Sequence, residues 1–554
     1  MALTHDEVQA QLTAPGQLFE MADVGGGVRI WKHAPTTYRG MLEISRFHGD
    51  KVFIVYEDEQ ITFEEHFRRA ATLAHRLVDD FGVRKGDRVA IAMRNYPEWI
   101  VAFSAILAVG AVVVPLNAWW TQAELEYGLD DSGAKLLIAD GERADRMKQV
   151  LEWSGVALIV ARPTPGFEGR TFDEVLGEVR ADVTLPPAEI SSEDPATIFY
   201  TSGTTGKPKG ALGSNRNLGQ APMTVAYAMM RTVALSGRDP GESMGVRRIT
   251  LLTVPLFHAT GCFAVLMTTI FAGGGLVLMY KWDAGRALQL IEREKVTVMS
   301  GVPTNAWQLL SHPSFGSYDI STLSAISYGG APAPPKLLER ITELLPNRTP
   351  SNGYGMTETT ALAVYNSGKD YLAKPDSIGV PLAVVDVKVC DPLGQEVPTG
   401  EVGELCVRGP IVIMGYWNRP DATAETFVNG WLHTGDLAKV DEEGFVYVVD
   451  RAKDMVIRGG ENVYCAEVEA ALFEHPAVDD AAVIGIPDDE LGEQVGAVIR
   501  PKSPVTAEEL QNFLRTRLAA FKIPVQIWFR DTELPRNPGG KILKTHLRRE
   551  ILNP

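Results

Sequence analysis

Cysteine is scarce in this chain: Cys262, Cys390, Cys406 and Cys465 are the four in 554 residues, far apart and without a CxxC spacing. That excludes a disulfide-stapled scaffold and a cysteine-built structural zinc site, and it suits a reducing, cytoplasmic setting. Basic residues are in the minority, 53 Lys+Arg against 70 Asp+Glu for a net charge of −17, and they form no long block. The electrostatic footprint of a nucleic-acid binder is therefore missing. The N-terminus, MALTHDEVQAQL, carries acids and no apolar stretch, so it does not resemble a signal peptide. Long uncharged runs are also rare. Residues 99–116, WIVAFSAILAVGAVVVPL, approach a bilayer-spanning length, but Gly110 and Pro115 divide them. Pro97 suits the first turn of a helix running to about Val109, and AVVVP is short and β-branched. A buried helix feeding a buried strand is expected, not a transmembrane segment.

With 45% hydrophobic residues in 554, the chain can bury more than one core, and two or more domains are expected. The N-terminal half alternates helical and strand-like segments. Thr62 and Glu65 form a capping-box pattern before a helix whose Phe63, Phe67, Ala70, Ala74 and Leu77 share a face. Strand-like RVAIAM follows at 88–93, then the helix and strand just described. This β-α-β order predicts an α/β fold with helix-covered, largely parallel sheets. A Pro/Gly-rich connection over 162–187 leads to a predicted strand at 196–200, ATIFY.

After that strand comes Thr201, Ser202, Gly203, Thr204, Thr205, Gly206, Lys207, Pro208, Lys209 and Gly210. Glycines free backbone N–H groups to turn inward, hydroxyls add donors and two lysines add charge, a combination suited to polyphosphate. It is not a Walker P-loop, which needs four residues between its first Gly and GK and then Ser/Thr opening a helix. Here only two residues intervene, and Pro208 follows Lys207.

YTSGTTGKPKG resembles the phosphate loop of the adenylate-forming superfamily, which includes acyl-CoA synthetases, aryl-CoA ligases, beetle luciferases and peptide-synthetase adenylation domains. The other family signatures follow in order: PLFHATG (255–261), YGGAP (328–332), NGYGMTET (352–359), GWLHTGD (430–436), VDRAKDMVIRGGENVYCAEVE (449–469) and LPRNPGGKILK (534–544). The resemblance extends from near residue 40 to the C-terminus. It implies a large N-terminal domain, 1–449, a hinge at 450–454 and a small mobile α+β lid, 455–554.

The activity so implied transfers AMP from ATP to a carboxylate, giving an acyl-adenylate that the thiol of coenzyme A attacks. Cations and donors around the phosphorus stabilise charge that grows in the first transition state. The resemblance assigns Lys541 to that task. It places the ribose hydroxyls on Asp436, with Arg451 helping, and the adenine face on Tyr354, with Asn352 and Gly353 at its edge. Gly330, Ala331 and Pro332 form the opposite wall, Thr357 meets the α-phosphate, and Glu358 holds Mg²⁺ as a hard oxygen ligand. His258 lines the carboxylate and gates the thiol path. Gly459, Gly460 and Glu461 belong to the loop that swings in for thioester formation, and Lys453 is the hinge about which one lid serves both half-reactions.

The pocket wall is expected from Gly261, Cys262, Pro303, Trp307, Tyr328 and Gly329, in apolar stretches with small residues. Phe257-His258-Ala259 offers no acid to pair a substrate ammonium, which disfavours amino-acid activation. Without a clear polar group to read a phenol, a medium- to long-chain fatty acid is preferred, with an aryl or cinnamate-like acid as the alternative. Loading of a carrier protein, luciferase-like oxygenation and non-catalytic binding are further alternatives. Asn215, Cys465 and Gly539 depart from the common pattern without removing a group the chemistry needs. An exposed lysine in PRNPGGK also suits a lysine acetyltransferase as partner, and acetylation of Lys541 would remove its charge. The sequence does not decide between a monomer and a homodimer.

Overall fold

The computed structural model describes the chain except residues 1–2, 202–207, 242–245, 332, 334, 361, 459–460, 489–490, 537–540 and 553–554. The uncharged run divides as its sequence predicts. Pro97–Ala108 is a helix buried at nearly every position, and Val112–Leu116 is a strand buried at all five. Gly110, between them, has φ +75°, a turn conformation that a residue with a Cβ rarely adopts. No helix among the described residues is long and apolar enough to cross a membrane.

Helix Phe63–Asp79 packs on Pro97–Ala108 through its apolar face. Its cap is simpler than the sequence suggests: the Thr62 side chain accepts from the Glu65 N–H, but Glu65 turns to Arg69 instead of closing a reciprocal box. In the first sheet, Val112–Leu116, Arg88–Ala92, Leu136–Asp140 and Ala157–Ala161 run parallel, and an antiparallel hairpin, Pro195–Thr201 with Lys209–Ser214, closes one side. Thr201 pairs with Lys209, so both ends of the glycine- and hydroxyl-rich loop are fixed side by side.

A second sheet of nine strands has at its centre Gly275–Leu278, Ile249–Leu252, Val298–Gly301, Ala325–Gly329 and Thr349–Tyr354, parallel to one another. Val364–Ser367 then pairs antiparallel with Thr349–Tyr354. The 21-residue helix Asn215–Leu235 and the π-helix Thr260–Met267 pack together beside this sheet.

A third, antiparallel sheet joins Asp386–Cys390, Gly403–Arg408, Trp431–Val440 and Val446–Arg451. The chain changes sheets after Arg451. From Val456 onward the strands, among them Val478–Asp488, Gly492–Pro501 and Gln526–Phe529, form a separate sheet. With helices Cys465–Phe473 and Ala507–Arg515 it encloses its own core, including Val456, Leu472, Val483, Val495 and Leu510. Here the capping box is complete, Thr506 and Glu509 each serving the other's backbone N–H. A large N-terminal domain thus precedes a small α+β C-terminal one.

Candidate active site

The ends of several strands and the C-terminal domain enclose one cavity of about 2450 Å³. Thr201 and Lys209 reach it from the hairpin, Gly329, Gly330 and Gly353 from neighbouring ends of the second sheet, and Thr357 and Glu358 from the 3₁₀ turn that follows. Glycine is required where these strands meet. A Cβ at Gly329 would lie 2.3 Å from the carbonyl oxygen of Gly353, and Gly330 has φ +75°.

Just behind this wall, Tyr354 donates its hydroxyl to Asp436 Oδ2 at 2.6 Å, and Arg451 Nε lies 3.0 Å from Asp436 Oδ1. Antiparallel register places Asp436 directly opposite Arg451. Asp436 is only 4% exposed, and burial together with its carboxylate holds the Tyr354 hydroxyl protonated well above the ordinary range. The turn before Asp436 is set by Glu404, which accepts from the Gly435 N–H at 2.9 Å and pairs with His433 Nδ1 at 2.7 Å. Cys406 joins these two within 4.8 Å, a cluster that the sequence spacing does not announce.

Glu358 is nearly buried, and its carboxyl is pushed up by burial, opposed by the Tyr416 hydroxyl that donates to Oε1 at 2.7 Å. Lys209 Nζ lies 5.0 Å from the centre of the Tyr416 ring. Lys541 comes from the C-terminal domain into the same cavity. Burial, reinforced by the Arg451 charge and opposed by Asp454 and Asp436, pushes its ammonium down to about 8. Lys453 also lines the cavity, where the chain passes between domains. His258 lines the acid end. Its Nε2 is buried without a hydrogen-bond partner among the described residues, and burial pushes the imidazole down to about 4, so it is neutral at pH 7.

Other expected residues fall elsewhere. Asn352, in the strand that carries Tyr354, and Ala331, beside Gly330, flank the cavity without lining it. Glu461 is exposed on strand Glu461–Val463, whereas Asn462 next to it reaches the cavity. Ser202, Gly203, Thr204, Thr205, Gly206, Lys207, Pro332, Gly459 and Gly460 lie outside the described residues.

The pocket wall needs correction. Tyr328 and Gly329 line the cavity, but Gly261, Cys262, Pro303 and Trp307 do not. Cys262 is fully buried in the core. Gly261 is pressed against the backbone, where a Cβ would sit 2.2 Å from the Pro255 carbonyl oxygen. Pro303 opens the helix Pro303–Ser311, and Trp307 turns to its other side under Arg340, 5.6 Å from the ring centre. Thr304, Asn305 and Gln308 of that helix face the cavity instead.

The sequence also misses the polarity of the cavity floor. Side chains alternate between the faces of a strand. Leu252 pairs with Ser300, Ser300 with Ser327 and Ser327 with Ser351, so these share one face, and Thr250 precedes Leu252 by two on that same face. Thr250, Leu252, Val298, Ser300 and Ser327 line the cavity, and Leu251, Met299 and Ile326 point the other way into a core. Tyr365 lines it as well, its hydroxyl kept protonated by burial. Helix Asn215–Leu235 covers this floor with Val225, Ala226 and Met229.

The AMP-binding enzyme family matches residues 43–417, and the AMP-binding enzyme C-terminal domain matches 467–541. A feruloyl-CoA synthase from an Amycolatopsis species is 39% identical over 89% of this chain and 94% of its own length. A long-chain-fatty-acid–CoA ligase from Escherichia coli O6:H1 is 33% identical, over 93% of this chain and 95% of its own. Among solved structures, the o-succinylbenzoate CoA synthetase of Bacillus subtilis with its acyl-adenylate intermediate superposes with a TM-score of 0.78 at 34% identity, covering 92% of this chain and 97% of that one.

Proposed function

Because this chain belongs to the AMP-binding, adenylate-forming enzyme family, we propose that it is an AMP-forming acid–CoA ligase that uses ATP, Mg²⁺ and coenzyme A, and that its acid is aromatic. In the first half-reaction a carboxylate oxygen attacks the α-phosphorus of ATP. The new O–P bond gives acyl-AMP, and the bond to the β-phosphate breaks to release pyrophosphate. In the second, the coenzyme A thiolate attacks the acyl carbon and AMP leaves.

The observation that carries this reading is the entry of Lys541, from the C-terminal domain, into the cavity where Thr201, Lys209, Thr357 and Glu358 converge. Its ammonium adds a point charge in a partly buried site, where such charges act more strongly on a developing oxyanion than in water. Asp436, already tied to Tyr354 and Arg451, presents a fixed carboxylate for the ribose hydroxyls, which must share or displace those two partners. Glu358 fits a hard cation: a nearly buried carboxylate, at the cavity wall, braced on one oxygen. Mg²⁺ bound there would neutralise polyphosphate charge. His258, neutral and partly buried at the acid end, stands as a gate between carboxylate and thiol. Lys453 is the hinge about which the C-terminal domain rotates between half-reactions.

Two features favour an aromatic acid over an alkyl chain. The floor carries Thr250, Ser300 and Ser327 beside the aliphatic Leu252 and Val298, and hydroxyls facing an alkyl chain lose water without gaining a partner. The feruloyl-CoA synthase and the o-succinylbenzoate CoA synthetase are both named for aromatic acids. The test is pyrophosphate release from ATP and Mg²⁺ over a panel from acetate to palmitate, with benzoate, coumarate and ferulate, each with and without CoA. Release that depends on an aromatic acid and is stimulated by CoA is expected. Release indifferent to CoA would point to a carrier protein as acceptor, and a preference for palmitate would refute the aromatic reading.

A further inference from the structure

One cation at the acid end is left without a counter-charge. Arg248 immediately precedes strand Ile249–Leu252 and lines the cavity two residues before Thr250, at the strand end away from Thr253, Val254 and His258. Burial depresses its guanidinium, and no carboxylate among the described residues pairs with it. Its Nη1 lies 2.6 Å from Met229 Sδ, a weak acceptor for so strong a donor. Arg247 next to it is differently placed, donating to the carbonyl of Val52 on the sheet's other side. Tyr365, which faces Arg248, is held as a neutral phenol by burial and supplies no counter-charge.

We infer that Arg248, with Thr250 two residues along the same face, forms a subsite for an oxygen acceptor at the far end of the acid, while Ser300 and Ser327 line the slot nearer the carboxylate, so that the substrate is an aromatic acid carrying a distal phenolic, methoxy or carboxylate oxygen. This rests on the ligase reading and names its substrate class. A half-buried guanidinium facing a cavity is unfavourable while empty and becomes favourable when an acceptor fills its fork. The span agrees: strands advance about 3.3 Å per residue, so the five steps from Arg248 to Thr253 cover roughly 16 Å. Less the reach of the arginine side chain, that accommodates a ring and a short spacer ahead of the reacting carboxylate. Met229, Ala226 and Val225 from the covering helix supply the apolar side of the slot, against which a ring face packs. Specificity of this kind is strong because an acid lacking the oxygen leaves the buried donor unpaired.

The experiment measures kcat/KM for CoA thioester formation with cinnamate, 4-methoxycinnamate, ferulate and 4-carboxycinnamate, using the full-length wild type, Arg248→Met and Arg248→Lys, with thermal melting of each. The wild type is expected to prefer the oxygen-bearing acids over cinnamate by about 10- to 100-fold, mostly through KM for the acid and with KM for ATP unchanged. Arg248→Met should bring that preference below threefold while sparing cinnamate, and Arg248→Lys should keep part of it. The 4-carboxy and 4-methoxy arms separate an anion from a neutral acceptor. If wild type accepts all four acids equally, or if Arg248→Met lowers them all by one factor, the subsite does not exist, although the ligase reading stands. If Arg248→Met does not fold, the wild-type panel and Arg248→Lys still decide. No turnover of any acid would refute the ligase reading instead.

Discussion

The lowered pKa of Lys541 makes a quantitative prediction about adenylation. Its ammonium is about 8 in the free enzyme against an ordinary 10.5, because burial and Arg451 disfavour the charged form. Holding that charge costs the empty site about 3 kcal/mol at neutral pH, on 1.36 kcal/mol per pKa unit. The penalty is present below pH 8 and vanishes as the unfolded-state value is passed. Catalysis needs the protonated form, so activity is present below the pKa and lost above it. In acid-dependent pyrophosphate release, kcat/KM for ATP reports the free enzyme. It should fall with a single proton dependence centred near pH 8, leaving about a tenth of the plateau at pH 9. Bound polyphosphate returns the missing counter-charge, so the limb in kcat should lie at higher pH. Lys541→Arg cannot deprotonate in this range and should lose the limb, at a reduced rate because the guanidinium fork differs in shape. Lys541→Ala should cost about two to three orders of magnitude in adenylation and leave thioester formation from supplied acyl-AMP nearly intact. A limb near pH 8 that survives in Lys541→Arg would show that another group titrates. Equal loss in both half-reactions would refute the division of labour between them.

The other predictions concern single contacts. Tyr416→Phe removes the 2.7 Å bond that opposes the raised pKa of Glu358, so activity lost as pH falls through that pKa should be lost at a higher pH than in wild type, with more Mg²⁺ needed for half-saturation; an unmoved acid limb and Mg²⁺ requirement would detach Glu358 from the metal. Asp436→Asn leaves Arg451 without its counter-charge and should raise KM for ATP at least tenfold, whereas Tyr354→Phe, which keeps the ring, should change it less; the reverse order in ATP titrations would overturn the ribose assignment. Lys453→Pro fixes φ between the domains and should impair one half-reaction more than the other, and equal rates in stopped-flow assays of the two would remove it as hinge. Lys541 is not exposed as its loop composition suggests but partly buried in the cavity, so although a pKa near 8 leaves it about a tenth neutral at pH 7, acetylation by a lysine acetyltransferase should need the C-terminal domain to turn it outward; peptide mass spectrometry that never finds the modification in cells would retire that idea.

Much of the fold was legible because its signals are local. Pro97, Gly110 and a β-branched run are enough to split residues 97–116 into a helix and a strand, and the two lysine- and glycine-bearing loops announce themselves by composition. The Asp436 cluster is partly legible in the same way, since HTGD and VDR sit on adjacent antiparallel strands that bring Asp436 opposite Arg451. The bond from Tyr354 is a tertiary fact that no spacing predicts. The acid end was legible least. A motif shows that a stretch is near a pocket, but not which of its side chains face inward: in Pro303–Ser311, helical periodicity turns Trp307 outward and Thr304, Asn305 and Gln308 inward. The same holds for the floor. Thr250, Ser300 and Ser327 lie on three strands separated by about 25 to 50 residues, each next to a large apolar residue (Leu251, Met299, Ile326), so each segment reads as apolar by itself. Only parallel pairing in register gathers the hydroxyls on one face and sends Leu251, Met299 and Ile326 to the other. The average hydrophobicity of those strands belongs mainly to the core behind the sheet. The preference for alkyl acids was read from that average, which does not separate the two faces, and the face toward the cavity carries Thr250, Ser300 and Ser327 beside Leu252 and Val298.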